Sequence, residues 1–85
     1  MHPAEIKVNT ALHQCRELLT NAEYDEVNEF SEQYGEYGIA IETLAGILFE
    51  KKVVPNENQF NAIHDAFTFM GIDSSGHLEL LRGVK

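Results

Sequence analysis

The sequence has little positive charge. Six Lys and Arg residues stand against fourteen Asp and Glu residues in a chain of 85, which gives a formal charge of -8 at neutral pH. A protein that binds DNA, RNA or an anionic membrane needs a cationic surface to replace counterions. The composition therefore argues against nucleic acids and anionic membranes as direct partners.

Cysteine and long apolar runs are also scarce. Cys15 is the single cysteine, so no intrachain disulfide can form, and a reducing compartment fits best. No cationic and apolar leader of signal length opens the sequence. No apolar run approaches the roughly 20 residues needed to cross a bilayer. We therefore expect a cytoplasmic protein in which the Cys15 thiol is buried in the core.

Strand signals and catalytic motifs are missing as well. Few β-branched residues occur, and no hairpin dipeptide lies between alternating apolar residues. The histidines lack the spacing of a zinc or di-iron site, and no serine lies in a nucleophile-elbow context. We expect neither an enzyme nor a protein that holds a metal or a cofactor.

Apolar residues at helical spacing are what the chain does contain. The pattern predicts an all-α fold, a small bundle of four helices plus a short C-terminal helix, in a single domain over residues 1–85. The four predicted helices run from Pro3 to Leu19, from Ala22 to Tyr34, from Glu36 to Phe49, and from Pro55 to Gly71.

Glycines and capping residues predict where these helices end. Gly35 and Gly71 suit the left-handed conformation that follows a helix. Thr20 or Asn21 suits the cap of the second helix. The last short helix would hold Leu78 and Leu81, with Asp73 or Ser74 as its cap.

The negative charge is concentrated in one part of the chain. Residues 17–50 contain nine acidic residues and no Lys or Arg. On a wheel of the second helix, Asp25, Glu29 and Glu32 fall within about 60° of one another, opposite the apolar side. Like charges three or four residues apart destabilise a helix, whereas Glu–Lys pairs stabilise it. This row of carboxylates on the second helix is either a solvated helix face or, as we favour, a binding surface for a cationic partner.

The segment 34–44, YGEYGIAIETL, resembles the glycine–glutamate motif of small bacterial immunity proteins of the MafI type. In that family a helix ends at the glycine, and the next helix begins with Glu and carries an Ala-x-Glu-x-Leu pattern. The resemblance continues through Pro55 to Met70-Gly71-Ile72 and covers roughly residues 24–73. It implies a cytosolic antitoxin that neutralises the secreted toxin of a polymorphic or contact-dependent inhibition system.

The resemblance implies a basic nuclease domain as the partner, with an RNase preferred. An acidic helix face would then occupy the basic groove that the toxin uses to hold phosphates. Gly35, Glu36 and Gly38 also fit a scaffold role at the turn. Tyr24, Tyr37, Phe49 and Phe69 are candidates for aromatic contacts that anchor the partner. Phe49 and Phe69 are alternatively buried against the first helix or the tail. The candidate partner-binding residues are Tyr24, Asp25, Glu26, Glu29, Glu32, Glu36, Tyr37 and Glu42.

Two alternatives stay open. The segment 71–81, GIDSSGHLELL, resembles the Asp-Ser motif of acyl carrier proteins, which implies phosphopantetheine on Ser74. Against this, the motif lies too near the C-terminus for the helices that should follow it, and Ser75 stands where a large apolar residue belongs. The other alternative is an acidic protein-interaction module of a different kind.

Overall fold

The described residues form four α-helices and one short 3-10 turn, so the all-α prediction is confirmed. The structure, a computed structural model, describes residues 2–33 and 35–71, and no strand occurs in those ranges. The predicted C-terminal helix, with Leu78, Leu81 and the caps Asp73 or Ser74, lies outside the described residues. The helices are α1 (Pro3–Gln14), α2 (Asn21–Glu32), α3 (Tyr37–Glu50) and α4 (Glu57–Met70).

Helix α1 is shorter than the sequence predicted. It ends at Gln14 instead of Leu19, because the backbone leaves the α-helical conformation at Cys15 and continues as a 3-10 turn over Arg16–Leu18. The turn lets Leu18 and Leu19 pack against the core. An apolar spacing of three residues fits both helix types, so periodicity alone does not separate them.

Reciprocal capping boxes start two of the helices. The Thr20 hydroxyl accepts from the Glu23 N–H at 3.1 Å, and the Glu23 carboxylate accepts from the Thr20 N–H at 2.9 Å. Asn56 and Gln59 make the same exchange at 2.8 Å each. Helix α4 therefore starts after Asn56, and Pro55, which was predicted to open it, lies buried just before the cap. Each box satisfies two backbone N–H groups at a helix start.

Left-handed glycines end α2 and α4, as predicted. Gly35 has φ 62° and Gly71 has φ 68°, a region that is unfavourable for residues with a side chain. The Glu36 N–H donates to the Phe30 carbonyl at 2.9 Å across the first of these turns. Helix α2 ends at Glu32, two residues before the predicted end, and α3 begins one residue later than predicted.

The core lies between α1 and the other three helices. Helices α1 and α4 run antiparallel, because Gln14 at the end of α1 meets Gln59 near the start of α4, whereas Lys7, earlier in α1, meets Asp65, later in α4. Apolar side chains from every helix meet in a single buried cluster. Its largest fully buried members are Phe67, Leu12, Ile41, Leu44, Leu48, Ile63, Val8 and Val27.

The Cys15 thiol belongs to this core, which confirms its predicted burial. Its side chain is fully buried. Burial, with a smaller contribution from the Glu17 carboxylate, raises the pKa of the Cys15 thiol to about 12. The thiol therefore stays protonated at neutral pH, and a protonated thiol is a poor nucleophile.

Gln59 links α4 to the end of α1, and we expect its replacement to be costly. Its amide Nε2 donates to the Gln14 carbonyl at 2.9 Å, and its Oε1 completes the capping box of α4. Gln59→Met keeps the length of the side chain but leaves these partly buried backbone groups without partners. We expect the free energy of unfolding, measured in urea, to fall by about 2 kcal/mol.

The matched control for this change is Asn58→Met, since Asn58 is the exposed neighbour of Gln59. We expect it to change the free energy of unfolding by less than about 0.5 kcal/mol. Equal unfolding midpoints for the two variants would show that the bond between the helices does not stabilise the fold.

Candidate partner-binding surface

The outer side of α2 is a row of carboxylates, which we call the acidic surface: Asp25, Glu26, Glu29 and Glu32. All four side chains are exposed, as the helical wheel predicted for three of them. Among the residues that the structure describes, none of the four makes a side-chain hydrogen bond or an ion pair. Within the described residues, no cation compensates the negative charge that this row presents to solvent.

The opposite side of α2 packs on the core, with one residue that the sequence did not indicate. Val27 is fully buried and Phe30 is half-buried against the core, as predicted, whereas Tyr34 lies outside the described residues. Ser31 is also buried, and its hydroxyl has no hydrogen-bond partner among the described residues. Because serine is polar, apolar periodicity gives no sign that Ser31 is buried. The sequence pattern therefore places the centre of the buried side of α2 slightly away from its observed position.

Glu23 is acidic but does not belong to the acidic surface. The Lys51 ammonium donates to the Glu23 carboxylate and to the Leu18 carbonyl, each at 2.7 Å. This clasp joins the end of α3 to the start of α2 and to the turn after α1. The hydrogen bond from Lys51, followed by the one from Thr20, holds the pKa of the Glu23 carboxyl below its ordinary value.

The clasp makes stability depend on pH in a defined direction. Because the pKa of Glu23 is lower in the folded state, its ionised form stabilises the fold above the ordinary pKa of 4.5. That contribution disappears as the pH falls through the lowered value. Glu23→Gln keeps a capping side chain without the charge, so we expect its urea midpoint to fall less than the wild-type midpoint between about pH 6 and pH 3.

Glu26→Gln is the control for this pH measurement, because Glu26 is exposed and has no ion pair among the described residues. We expect it to keep the wild-type dependence on pH. If Glu23→Gln and the wild type lose stability in parallel on acidification, the clasp does not contribute through its charge.

Tyr24 is less available to a partner than the sequence suggested. Its side chain is half-buried, and the Arg16 guanidinium lies 4.0 Å from the centre of its ring. Arg16 is held there by a hydrogen bond of 3.2 Å to the Asn21 amide oxygen. One face of the Tyr24 ring is therefore covered from within the chain by a cation.

The residues around the start of α3 divide into two groups. Glu36, the residue before α3, and Glu42 on α3 are exposed and carry further negative charge. Tyr37 instead packs against the core and stacks on the His2 imidazole, with 5.0 Å between the ring centres. Tyr37 thus connects the starts of α1 and α3, which is a structural role.

The cations of the described ranges are mostly engaged elsewhere. Lys7 pairs with Asp65 at 2.6 Å, Lys51 pairs with Glu23, and Arg16 covers Tyr24. Lys52 is exposed after the end of α3 and has no ion pair within residues 2–33 and 35–71. The acidic surface is therefore not neutralised by the part of the chain that the structure describes.

Several large apolar side chains are exposed on α3 and α4. Phe49 and Phe69, for which burial was the alternative, are 46% and 49% exposed, and the Lys7 ammonium lies 5.8 Å from the Phe69 ring centre. Ile39 is 44% exposed and was not singled out from the sequence. Its position on the helical wheel, away from the apolar side of α3, was the sequence signal that indicated its exposure.

Neither a metal site nor a membrane-spanning helix accompanies this surface in residues 2–33 and 35–71. No group of three His, Cys, Asp or Glu side chains there is placed to hold a metal ion, and no helix there is both long and apolar enough to cross a bilayer. Ser74, the residue of the carrier-protein alternative, lies outside these ranges. The chain matches no protein-family model, no curated protein and no solved structure.

Proposed function

We propose that the chain is an immunity protein that binds and neutralises a cognate secreted bacterial toxin in the cytoplasm. The observation that carries the proposal is the acidic surface, four exposed carboxylates on α2 that no cation of the described residues pairs with. The similarity of segment 34–44 to the MafI-type motif supports the same function. The partner we propose is the basic nuclease domain of the toxin, an RNase in preference to a DNase.

A cationic partner gives the acidic surface a physical role. Asp25 and Glu29 are four residues apart, and Glu29 and Glu32 are three apart, so they repel one another on the same side of α2. Elsewhere the chain places cations against carboxylates, as Lys51 does with Glu23. Contact with Lys and Arg side chains of a toxin would turn the repulsion on α2 into attraction.

The mechanism follows from the position of α2. A nuclease needs a basic groove for the phosphates of its substrate, and a row of carboxylates on a helix competes for that groove. The capping box at Thr20 and the Lys51 clasp hold α2 in place before binding. Complementary charge then speeds the encounter, which lets the antitoxin capture the toxin early.

Growth protection in cells tests the proposal. The proposal predicts that the neighbouring upstream reading frame encodes the toxin domain, and that domain is expressed from an inducible promoter with and without this chain. We expect the chain to restore growth, and an unrelated helical domain of equal negative charge to fail. Continued growth arrest in the presence of abundant, folded chain contradicts the immunity function.

A further inference from the structure

Two exposed apolar side chains, Ile39 and Phe49, lie on the outer side of α3. Ile39, Glu42, Gly46 and Phe49 follow one another at steps of three and four residues, which places them along one side of the helix; we call them the α3 stripe. Ile39 and Phe49 are each nearly half exposed, and Glu42 is exposed. The residues that α3 buries in the core are Ala40, Ile41, Leu44, Ala45 and Leu48.

Packing among residues 2–33 and 35–71 does not account for Gly46, which lies in the middle of the stripe and is partly exposed. A glycine inside a helix destabilises it relative to alanine. A Cβ atom built on Gly46 meets nothing within 4 Å among the described residues, so their packing does not require the missing side chain. Gly46 therefore leaves a shallow gap between two apolar side chains that lie about 15 Å apart along the helix axis.

We propose that the α3 stripe is the apolar part of the docking surface and receives a cationic amphipathic helix of the partner protein. An apolar side chain of that helix lies over Gly46, between Ile39 and Phe49. Its Lys and Arg residues reach Glu42 in the stripe and Glu50, which is exposed just after Phe49. The proposal rests on the proposed function in one respect, that the partner is basic.

Charge argues against a second copy of this chain as the occupant. Two copies meeting through the α3 stripe would bring Glu42 and Glu50 close to the same residues of the other copy, in a chain whose formal charge is -8. A cationic helix is instead attracted to both carboxylates. Since charge alone governs the rate of encounter more than the strength of a complex, apolar anchors such as Phe49 supply what the acidic surface lacks.

Two synthetic peptides test the inference without knowledge of the partner. The first is an amphipathic helix of about 18 residues with leucine on one side and lysine on the other. The second keeps every lysine and replaces each leucine with glutamine, so it measures charge alone. At physiological salt we expect the leucine peptide to bind about tenfold more tightly, with the largest amide chemical-shift changes around Gly46. Equal affinities, or shift changes confined to α2, overturn the inference.

Variants of the stripe sharpen the test. Phe49→Ser and Gly46→Gln should each weaken the leucine peptide by about tenfold and leave the glutamine peptide unchanged. Gly46→Gln should also raise the melting temperature, because glutamine is the better helix former, so its loss of binding does not come from unfolding. Phe69→Ser is the matched control, an equally exposed phenylalanine on α4. Equal losses for Phe49→Ser and Phe69→Ser, or no loss for Phe49→Ser, overturn the inference.

The same variants separate this inference from the immunity function. If the Phe49→Ser chain binds the toxin domain and protects cells as the wild type does, the stripe is not the anchor, while the immunity function stands. If the leucine peptide binds the stripe but the chain does not protect cells from the toxin, the immunity function is contradicted. The inference that the α3 stripe binds a cationic amphipathic helix then still stands. A micromolar dimer in sedimentation equilibrium that Phe49→Ser abolishes overturns the inference in favour of a second copy.

Discussion

Reversing three charges on α2, with Asp25→Lys, Glu29→Lys and Glu32→Lys in one chain, is expected to slow association with the toxin domain by roughly 10- to 1,000-fold at low salt. The acidic surface is exposed and unpaired among the described residues, so its field acts directly on an approaching basic groove. Stopped-flow measurements over a series of salt concentrations give the rate. The wild-type rate should fall steeply with added salt, and the rate of the variant should hardly change.

The control is a second triple variant, which has the same net charge as the α2 variant but keeps the acidic surface intact. Glu5→Lys, Glu17→Lys and Glu57→Lys change carboxylates on α1, on the 3-10 turn and on α4. We expect this chain to associate much faster than the α2 variant. Similar rates for both would mean that only the total charge matters, and the acidic surface would lose its role.

Replacing Phe67 is expected to have the largest effect on stability. Phe67 is the largest fully buried side chain among the described residues, and Phe67→Ala removes its whole ring from the core. Such changes cost about 3–5 kcal/mol, because transfer free energy is lost and a cavity remains. A domain of this size has a total stability of only about 4–13 kcal/mol. Urea denaturation should therefore show that Phe67→Ala loses about a quarter or more of the total stability.

Phe69→Ala is the control on the same helix, two residues further on. Its ring is about half exposed, so we expect the free energy of unfolding to fall by less than about 1 kcal/mol. Comparable losses for Phe67→Ala and Phe69→Ala would contradict the assignment of which side of α4 faces the core.

The helices were predictable because their signals are local. Apolar periodicity gave the four helices, and Gly35 and Gly71 gave two of their ends, since only the left-handed conformation of glycine closes these turns easily. The start of α4 was misplaced at Pro55 although the sequence carries the capping-box pattern from Asn56 to Gln59. The early end of α1 had no such signal, because it depends on how the following turn packs on the core.

The candidate site was predictable where exposure follows from helical period. Asp25 and Glu29 lie opposite the apolar side of α2, and the structure exposes both. Two contacts were not predictable, because the packing of the chain brings their partners together. They are the ion pair of Lys51 with Glu23 and the stacking of Arg16 on the ring of Tyr24. The exposure of Ile39 was open to prediction from helical position, because Ile39 lies off the apolar side of α3.

The two proposed parts of the surface have different physical roles. The carboxylates of α2 act over distance and set the rate of encounter, whereas the α3 stripe acts only on contact and sets the lifetime of the complex. Helices α2 and α3 pack against each other as an antiparallel pair, since Lys51 at the end of α3 reaches Glu23 at the start of α2. Variants of the acidic surface should therefore change mainly the association rate, and variants of the stripe mainly the dissociation rate.

The most direct test of the immunity function is a titration of the purified toxin domain with the purified chain. Cleavage of the nucleic acid substrate is followed in the same samples whose complexes are sized by light scattering. We expect cleavage to stop at one equivalent of chain per toxin domain, together with a complex of one copy of each. Undiminished cleavage in the presence of excess folded chain, with the two proteins still separate, contradicts the proposal.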